Sequence, residues 1–142
     1  MVESLLYREN NMTAFRNWAL CLLPALVSVA SPAAAAEIRD FDQITFRRAQ
    51  AEGRPILIDV HAWWCPVCLS QSAKIKRIVK SPAYDKLLVL RVNYDKQKPV
   101  WKSFGASKQA TLIGFHHNRE VSRLAYVTNE ERIRALLEQT VR

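Results

Sequence analysis

The chain has 142 residues, of which 49% are hydrophobic and 24% are charged, a composition typical of a globular protein with a core. This length argues for one domain and against a second. The formal net charge of +8 makes the protein basic, but its basic side chains are not interleaved with aromatic ones as on a base-reading surface, so we expect no nucleic-acid partner.

A signal peptide is predicted at the start of the chain, over residues 1–36. Residues 18–36 carry no charge, and residues 19–30 form an apolar segment of the length expected for a signal-peptide core. This segment is short for a membrane span, and Arg16 supplies a positive charge before it. An uncleaved membrane anchor is the alternative interpretation.

The small residues at 31–36 have the spacing that a signal peptidase recognises. We therefore expect cleavage after Ala36 and a mature domain over 37–142 that is periplasmic or otherwise exported and has no stable membrane insertion. Met12 lies closer to the apolar segment than Met1 and is an alternative start of translation.

The mature part is predicted to open with a helix over 41–52. Either Asp40 or Asp42 can cap its N-terminus, and Gly53 can end it. An apolar run rich in β-branched residues then predicts a buried strand over 56–61.

Two cysteines separated by two residues follow this strand, at the start of the next predicted helix. If Cys65 begins the helix, its sulfur lies at an exposed helix N-terminus among unpaired N–H groups, which favours the thiolate form. Cys68 lies one turn later on the same face and can close a short disulfide. The pattern is typical of a redox site. A structural disulfide or half of a zinc site are the alternatives, although zinc normally needs two further Cys or His ligands.

Cysteine usage also favours redox chemistry. Cys21 lies in the predicted signal peptide and should leave with it, so both remaining cysteines belong to one motif. In an exported protein, this indicates a working disulfide rather than a framework of structural ones.

Five further elements follow the helix that carries the cysteines. We predict a buried strand over 87–93, a short helix over 99–104, a hairpin with strands over 111–115 and 121–127, and a last helix opened by a capping box at 128–131. This order predicts an α/β fold, a mixed sheet whose first pair of strands is parallel and whose last pair is antiparallel.

Basic residues cluster at 74–80 and 96–102. We interpret them as solvated helix faces, and attraction to acidic partners or anionic membranes is the alternative.

Residues 58–68, with Trp before the first Cys and Asp six residues before that Cys, resemble the active-site segment of the thioredoxin family. Residues 93–95 and 104–112 fall where that family places corresponding segments. The approach at 52–55 resembles the C-terminal periplasmic domain of the transmembrane thiol:disulfide interchange protein and similar small exported thioredoxins. The resemblance covers nearly all of 37–142 and implies the thioredoxin fold.

The resemblance also implies roles for four residues. Cys65 would attack a substrate disulfide, and Cys68 would resolve the mixed disulfide. Asp59, on an apolar strand, should have a raised pKa and could take the proton from Cys68 through water. A structural ion pair between Asp59 and Arg91 is the alternative, and the two roles are compatible.

Two neighbours of the cysteines complete the implied site. Trp64 would shield one side of the disulfide and contribute to the surface on which substrates dock, although it could simply fill space. Pro66 is shared with oxidising relatives, but the Pro66-Val67 dipeptide has no histidine to stabilise the thiolate strongly, which favours a reductant or electron relay over an oxidant.

Two positions depart from the family pattern. Ala110 stands where the family usually has a cis-proline facing the disulfide, and since a cis bond before a non-proline residue costs about 2.5–4 kcal/mol, we expect a trans bond and an altered substrate-binding backbone. His61 stands where an aromatic residue is usual and could be a third metal ligand, could favour the thiolate, or could be a hydrogen-bonded filler, which we prefer. His116 and His117 are interpreted as solvated turn residues.

The sequence thus predicts an exported thiol-disulfide oxidoreductase that needs no bound cofactor. Its partners would be protein thiols or disulfides and a membrane-bound or soluble electron donor, and we expect a monomer. The alternative is a non-enzymatic Cu(I) carrier in which Cys65, Cys68 and His61 bind the metal.

Overall fold

The structure, a computed structural model, describes residues 35–142, so the predicted signal peptide lies outside the described residues except for its last two positions. The strands are β1 Glu37–Asp40, β2 Ile56–His61, β3 Leu88–Asn93, β4 Thr111–His116 and β5 Arg119–Ala125. The helices are α1 Gln43–Ala51, α2 Pro66–Ile78, α3 Lys98–Ser103 and α4 Glu130–Val141, with a turn of 3₁₀ helix at Pro82–Tyr84.

The five strands form one mixed sheet in the order β1-β3-β2-β4-β5. Strand β2 pairs with β3 in parallel and with β4 in antiparallel orientation, and β4 pairs antiparallel with β5. The predicted α/β class and the predicted directions of the first and last pairs are confirmed. Among the described residues, no helix has both the length and the apolar character needed to cross a bilayer.

Strand β1 was not predicted from the sequence. It has four residues, pairs in parallel with β3 and places Ile38 opposite Val89. The segment has a single large apolar residue, so no alternating pattern predicts a strand. The hydrogen bonds that make β1 a strand are those with β3.

The central position of β2 explains its uninterrupted apolar sequence, because both faces of the strand are covered. Ile56, Ile58 and Val60 face the cluster that contains residues of α1 and α3. Leu57 faces the cluster that contains residues of α2 and α4. Because side chains alternate along a strand, Asp59 points to the same face as Leu57, toward the helix that carries the cysteines.

Local capping fixes the ends of the outer helices. At the start of α1, Asp42 Oδ1 accepts a hydrogen bond from the Thr45 N–H at 2.8 Å. Asp42 is thus the cap, rather than Asp40, the other residue predicted for this role. At α4 the cap is Asn129, whose Oδ1 accepts from the Arg132 N–H at 2.9 Å. The predicted capping box at 128–131 is therefore wrong, because the cap lies one residue later and Arg132 stands where a box needs Glu or Gln.

The hairpin is tighter than the sequence predicted. Its strands end at His116 and resume at Arg119, so the loop is shorter than the five residues we assigned to it. His117 turns the chain with φ 55° and is exposed. His116, predicted to be a solvated turn residue, instead lies in β4, half-buried, with Nδ1 3.3 Å from the Thr140 carbonyl oxygen.

Candidate active site

Strand β2 delivers the chain to the two cysteines at the N-terminus of α2. Cys65 is the N-cap residue, with extended backbone, and Pro66 occupies the first helical turn, where its missing N–H leaves no gap in the hydrogen-bond pattern. The Cys68 N–H donates to Cys65 Sγ at 3.3 Å. Both cysteines are free thiols, so the structure describes the reduced form with its two sulfurs on one helical turn.

Both thiols are covered. Cys65 is 1% exposed and Cys68 is fully buried, in a cluster with Ala62 and Ala110. The prediction of an exposed Cys65 is therefore wrong. Ala110, which is remote in sequence, belongs to this cover only in the folded protein, and Val67 and Tyr94 pack against the same cluster.

The environment of Cys68 disfavours its thiolate. Burial, followed by the hydrogen bond with Cys65, raises the pKa of Cys68 to about 12. The charge of Asp59 contributes in the same direction. Cys68 therefore needs a proton acceptor before it can attack a sulfur.

Asp59 lies behind the cysteines and is 1% exposed. Burial raises the pKa of its carboxyl above the ordinary value of 3.8, and the nearby charges of His61 and Arg91 oppose that rise. Oδ2 lies 3.4 Å from Arg91 Nε and 3.8 Å from His61 Nδ1. Oδ1 has no hydrogen-bond partner among the described residues.

His61 belongs to this polar group behind the helix. Its Nδ1 lies 3.4 Å from Ser72 Oγ, and Arg91 Nη2 donates to the same hydroxyl at 3.3 Å. Burial lowers the pKa of His61, and the charge of Asp59 opposes that shift.

No metal site is assembled from these residues. Within residues 35–142, no group of three or more His, Cys, Asp or Glu side chains is close enough to hold a metal ion. His61 lies beside Asp59 and Ser72, so nothing in this arrangement favours the Cu(I) carrier with Cys65, Cys68 and His61 as ligands.

Aromatic side chains flank the motif on its outer side. Trp64 is 47% exposed, donates Nε1–H to Asp95 Oδ2 at 3.1 Å and meets the Tyr94 ring edge-on. Trp63 is 74% exposed, and Leu69, just past the second cysteine, is also exposed. The motif thus carries a solvent-facing apolar surface, in which sequence reasoning had named only Trp64.

Ala110 follows a trans peptide bond, as expected, since residues 35–142 contain no cis bond. Its φ is 58°, a left-handed conformation that L-residues rarely adopt. Its N–H donates to the Val60 carbonyl at 2.8 Å, and its carbonyl accepts from the Tyr126 N–H at 2.8 Å. We call Gln109, Ala110 and Thr111 the Ala110 turn.

A further residue, Gln71, also holds this turn. Its Nε2 donates to the carbonyl oxygens of Ala110 and Val127 at 3.2 Å and 2.9 Å. Sequence reasoning missed Gln71, although it stands between Cys68 and Ile75 on the inner stripe of α2, where a polar residue at an apolar position was the available signal.

Residues 37–139 match the family model described as thioredoxin. The chain belongs to the thioredoxin family. Trxlp from Edwardsiella tarda is 36% identical in sequence, with a TM-score of 0.69 over 71% of this chain and 98% of that one. A thioredoxin from Alicyclobacillus acidocaldarius is 29% identical over 92 residues, which are 65% of this chain and 87% of the relative.

The fold is shared more widely than the sequence. A Malassezia sympodialis thioredoxin is 18% identical, with a TM-score of 0.65 over 76% of this chain and 95% of that one. Membership of the thioredoxin family and the pair of free thiols at the start of α2 identify a thiol-disulfide oxidoreductase. The activity and the thioredoxin fold predicted from the sequence are confirmed.

Proposed function

We propose that the protein is an exported reductant or electron relay that cycles Cys65 and Cys68 between dithiol and disulfide. The observation that carries this proposal is the pair of thiols on one helical turn, with the Cys68 N–H donating to Cys65 Sγ at 3.3 Å. That hydrogen bond stabilises negative charge on the first sulfur, which must act as the nucleophile.

The reaction runs in two displacements. Cys65 thiolate attacks one sulfur of a substrate disulfide, forms a mixed disulfide and releases the other substrate sulfur as a thiolate. Cys68 then loses its proton, attacks Cys65 Sγ and releases the second substrate thiolate. The substrate gains two electrons and the protein is left as a disulfide, which a separate thiol donor must reduce.

Asp59 is the proposed acceptor of the Cys68 proton. Its charge raises the pKa of Cys68, so the two groups are electrostatically coupled, which supports this role. A carboxyl group whose own pKa is raised by burial is a better match for a thiol than an ordinary carboxylate, because efficient proton transfer needs similar pKa values.

The reducing direction is supported by the Pro66-Val67 dipeptide, which offers no histidine beside the sulfurs to stabilise the thiolate. For a two-electron couple, about 30 mV corresponds to about 1.4 kcal/mol, so one hydrogen bond to a sulfur shifts the reduction potential measurably. The potential is therefore the quantity to measure.

Export is supported by the uncharged segment and the small residues at 31–36. Cleavage after Ala36 would leave β1 whole, because that strand begins at Glu37. N-terminal sequencing of protein from the cell envelope should begin at or near Glu37. Recovery of the intact leader on a membrane-bound form contradicts cleavage.

The test of function compares the protein with a Cys65→Ser blank. We expect the wild-type protein to reduce insulin disulfides well above the rate of the blank and to titrate as one two-electron couple against glutathione or dithiothreitol buffers. A Cu(I) titration is run on both proteins beside it. Reduction no faster than the blank, together with tight Cu(I) binding that Cys65→Ser abolishes, would replace the oxidoreductase with the carrier.

A further inference from the structure

Gln71 is a buried carboxamide on the inner face of α2. Its side chain is fully buried, and its neighbours along the helix stripe, Cys68, Ile75 and Ile78, are apolar in character. Nε2 donates to two carbonyl oxygens that belong to other segments, Ala110 at 3.2 Å and Val127 at 2.9 Å. Gln71 thus connects the cysteine helix to two distant parts of the chain.

The orientation of this amide follows from its surroundings. Turning it over would place Oε1 against two carbonyl oxygens, so the NH₂ group must face them. Oε1 is then buried without a hydrogen-bond partner among the described residues. The amide of Gln71 therefore binds the two carbonyls while its own oxygen remains unpaired.

The segment that Gln71 holds is conformationally strained. Ala110 and Tyr126 have φ values of 58° and 60°, and the Tyr126 N–H donates to the Ala110 carbonyl. Left-handed L-residues persist only where surrounding contacts determine them. The Ala110 carbonyl has two donors, one from the backbone of Tyr126 and one from the side chain of Gln71.

The same segment packs against the two cysteines. Ala110 is fully buried and packs in the cluster that contains Cys65 and Cys68. A disulfide substrate must reach the sulfur of Cys65, a residue that is 1% exposed in the closed structure. Some part of this cover has to move before the first displacement.

We propose that Gln71 is a positioning residue that latches the Ala110 turn over the two thiols, so that Cys65 reacts only when the hydrogen bond from Gln71 to the Ala110 carbonyl opens. The consequence for substrate turnover rests on the proposed oxidoreductase function. The latch itself is a property of the reduced protein and can be measured without a substrate or an electron donor.

The first test is Gln71→Met, which keeps the length of the side chain and removes the donor. We expect iodoacetamide to alkylate Cys65 about tenfold faster than in wild type, the factor that corresponds to about 1.4 kcal/mol, close to the one neutral hydrogen bond to the Ala110 carbonyl that closes the latch. The increase should be the same at every pH, with an unchanged midpoint of the pH profile. A shifted midpoint, or an unchanged rate, overturns the latch.

A matched control separates the latch from lost stability. Thr140→Val also removes a buried side-chain hydrogen bond to a carbonyl, here 2.8 Å to Leu136, in a helix away from the cysteines. This variant should alkylate Cys65 at the wild-type rate. In low urea, the faster alkylation of Gln71→Met should not depend on urea concentration, as expected for local opening. A steep urea dependence assigns the effect to global unfolding and overturns the proposal.

A second measurement needs no variant. In wild-type protein, exchange of the Gln71 side-chain NH₂ protons reports the same opening, so their protection should match the protection of Cys65 from iodoacetamide within about threefold. Protection of the NH₂ protons more than about tenfold above that of the thiol means that Cys65 reacts while the latch is closed, which overturns the proposal. If the protein does not reduce disulfides but passes these tests, the proposed function is wrong and the latch stands.

Discussion

Asp59 and Arg91 stand opposite each other in the register of β2 and β3, and Arg91 Nε donates to Asp59 Oδ2 at 3.4 Å. The guanidinium is partly exposed while the carboxyl group is 1% exposed. Because burial outweighs the nearby positive charges, the pKa of Asp59 remains raised. The ion pair and the proton-accepting role are therefore compatible, since the pair limits the rise without abolishing it.

The raised pKa of Asp59 makes stability depend on pH. Between the ordinary value of 3.8 and the higher folded value, the folded protein holds a proton that the unfolded chain has lost, so stability falls as pH rises through this window. Asp59→Asn removes this dependence and should be more stable than wild type at pH 7, with the difference shrinking toward pH 3. Urea midpoints across that range measure it.

Asp42 supplies a control of opposite sign. Its pKa is lowered by the hydrogen bond that it accepts from Thr45, so its contribution to stability is present at neutral pH and is lost in acid. Asp42→Ala should therefore be less stable than wild type at pH 7, and the difference should shrink as the pH falls. If the two variants shift stability in the same direction at pH 7, our assignment of the Asp59 pKa is wrong.

The two cysteines should differ sharply in reactivity. With the pKa of Cys68 at about 12, only about one molecule in 10⁵ carries that thiolate at pH 7. Iodoacetamide should therefore label Cys65 much faster than Cys68 in folded protein, and peptide mapping after partial reaction measures the ratio. Unfolding in urea should bring the two rates together, and equal rates in the folded protein would contradict the assigned roles.

The resolving step should depend on both Cys68 and Asp59. Cys68→Ala should accumulate mixed disulfides between Cys65 and substrate proteins, visible on non-reducing gels. Asp59→Asn, which retains Cys68, should slow the release of substrate from the same mixed disulfides by on the order of 10²-fold, the lower range for a lost general base. Asn retains the shape of the side chain, so release at the wild-type rate would remove Asp59 from the proton transfer.

The left-handed backbone at residue 110 predicts an ordered series of variants. The free energy of unfolding of Ala110→Gly should lie within about 1 kcal/mol of the wild-type value. Glycine relieves the strain of the positive φ, which offsets the loss of the buried methyl group and the greater entropy of the unfolded chain. Ala110→Val should be less stable by about 2 kcal/mol or more.

Proline belongs with valine in that series. A proline at residue 110 cannot adopt φ 58° and loses the N–H that donates to Val60, so Ala110→Pro should destabilise the protein by more than about 1 kcal/mol. Chemical denaturation of the three variants gives the order. A proline variant as stable as the glycine variant would contradict the described turn.

Gly114 predicts a rescue experiment. A Cβ at this position would overlap Thr140 Oγ1, so Gly114→Ala should cost about 1–3 kcal/mol of stability. Adding Thr140→Ala removes the overlapping oxygen and should recover part of the loss. Adding Thr140→Ser keeps that oxygen and should not, and urea denaturation of the two double variants distinguishes them.

The sequence predicted the elements whose signals are local. Residues 56–61 form a continuous apolar run, and the two cysteines with Pro66 mark the start of a helix, so β2 and α2 were placed correctly. Strand β1 could not be predicted in this way, because its four residues have no strand pattern of their own and are a strand only through their pairing with β3.

The parts of the site that were missed depend on contacts between distant segments. Cys65 is covered by Ala110, and Gln71 reaches Ala110 and Val127, neither of which lies near it in the chain. The positive φ of Ala110 has no signal in the sequence, because alanine rarely adopts it. The residue types at the site were therefore predictable, while the closure of the site was not.

Strand β5 forms one edge of the sheet in the described part of the chain, with β4 as its neighbour. Its exposed residues include Arg119, Glu120 and Arg123, and the last two form an ion pair at 2.7 Å. The register shift at Gly114/Phe115 kinks the ladder beside them. An incoming strand from another molecule would have to bury these charges and follow a distorted backbone, so this edge is a poor template for intermolecular strand pairing.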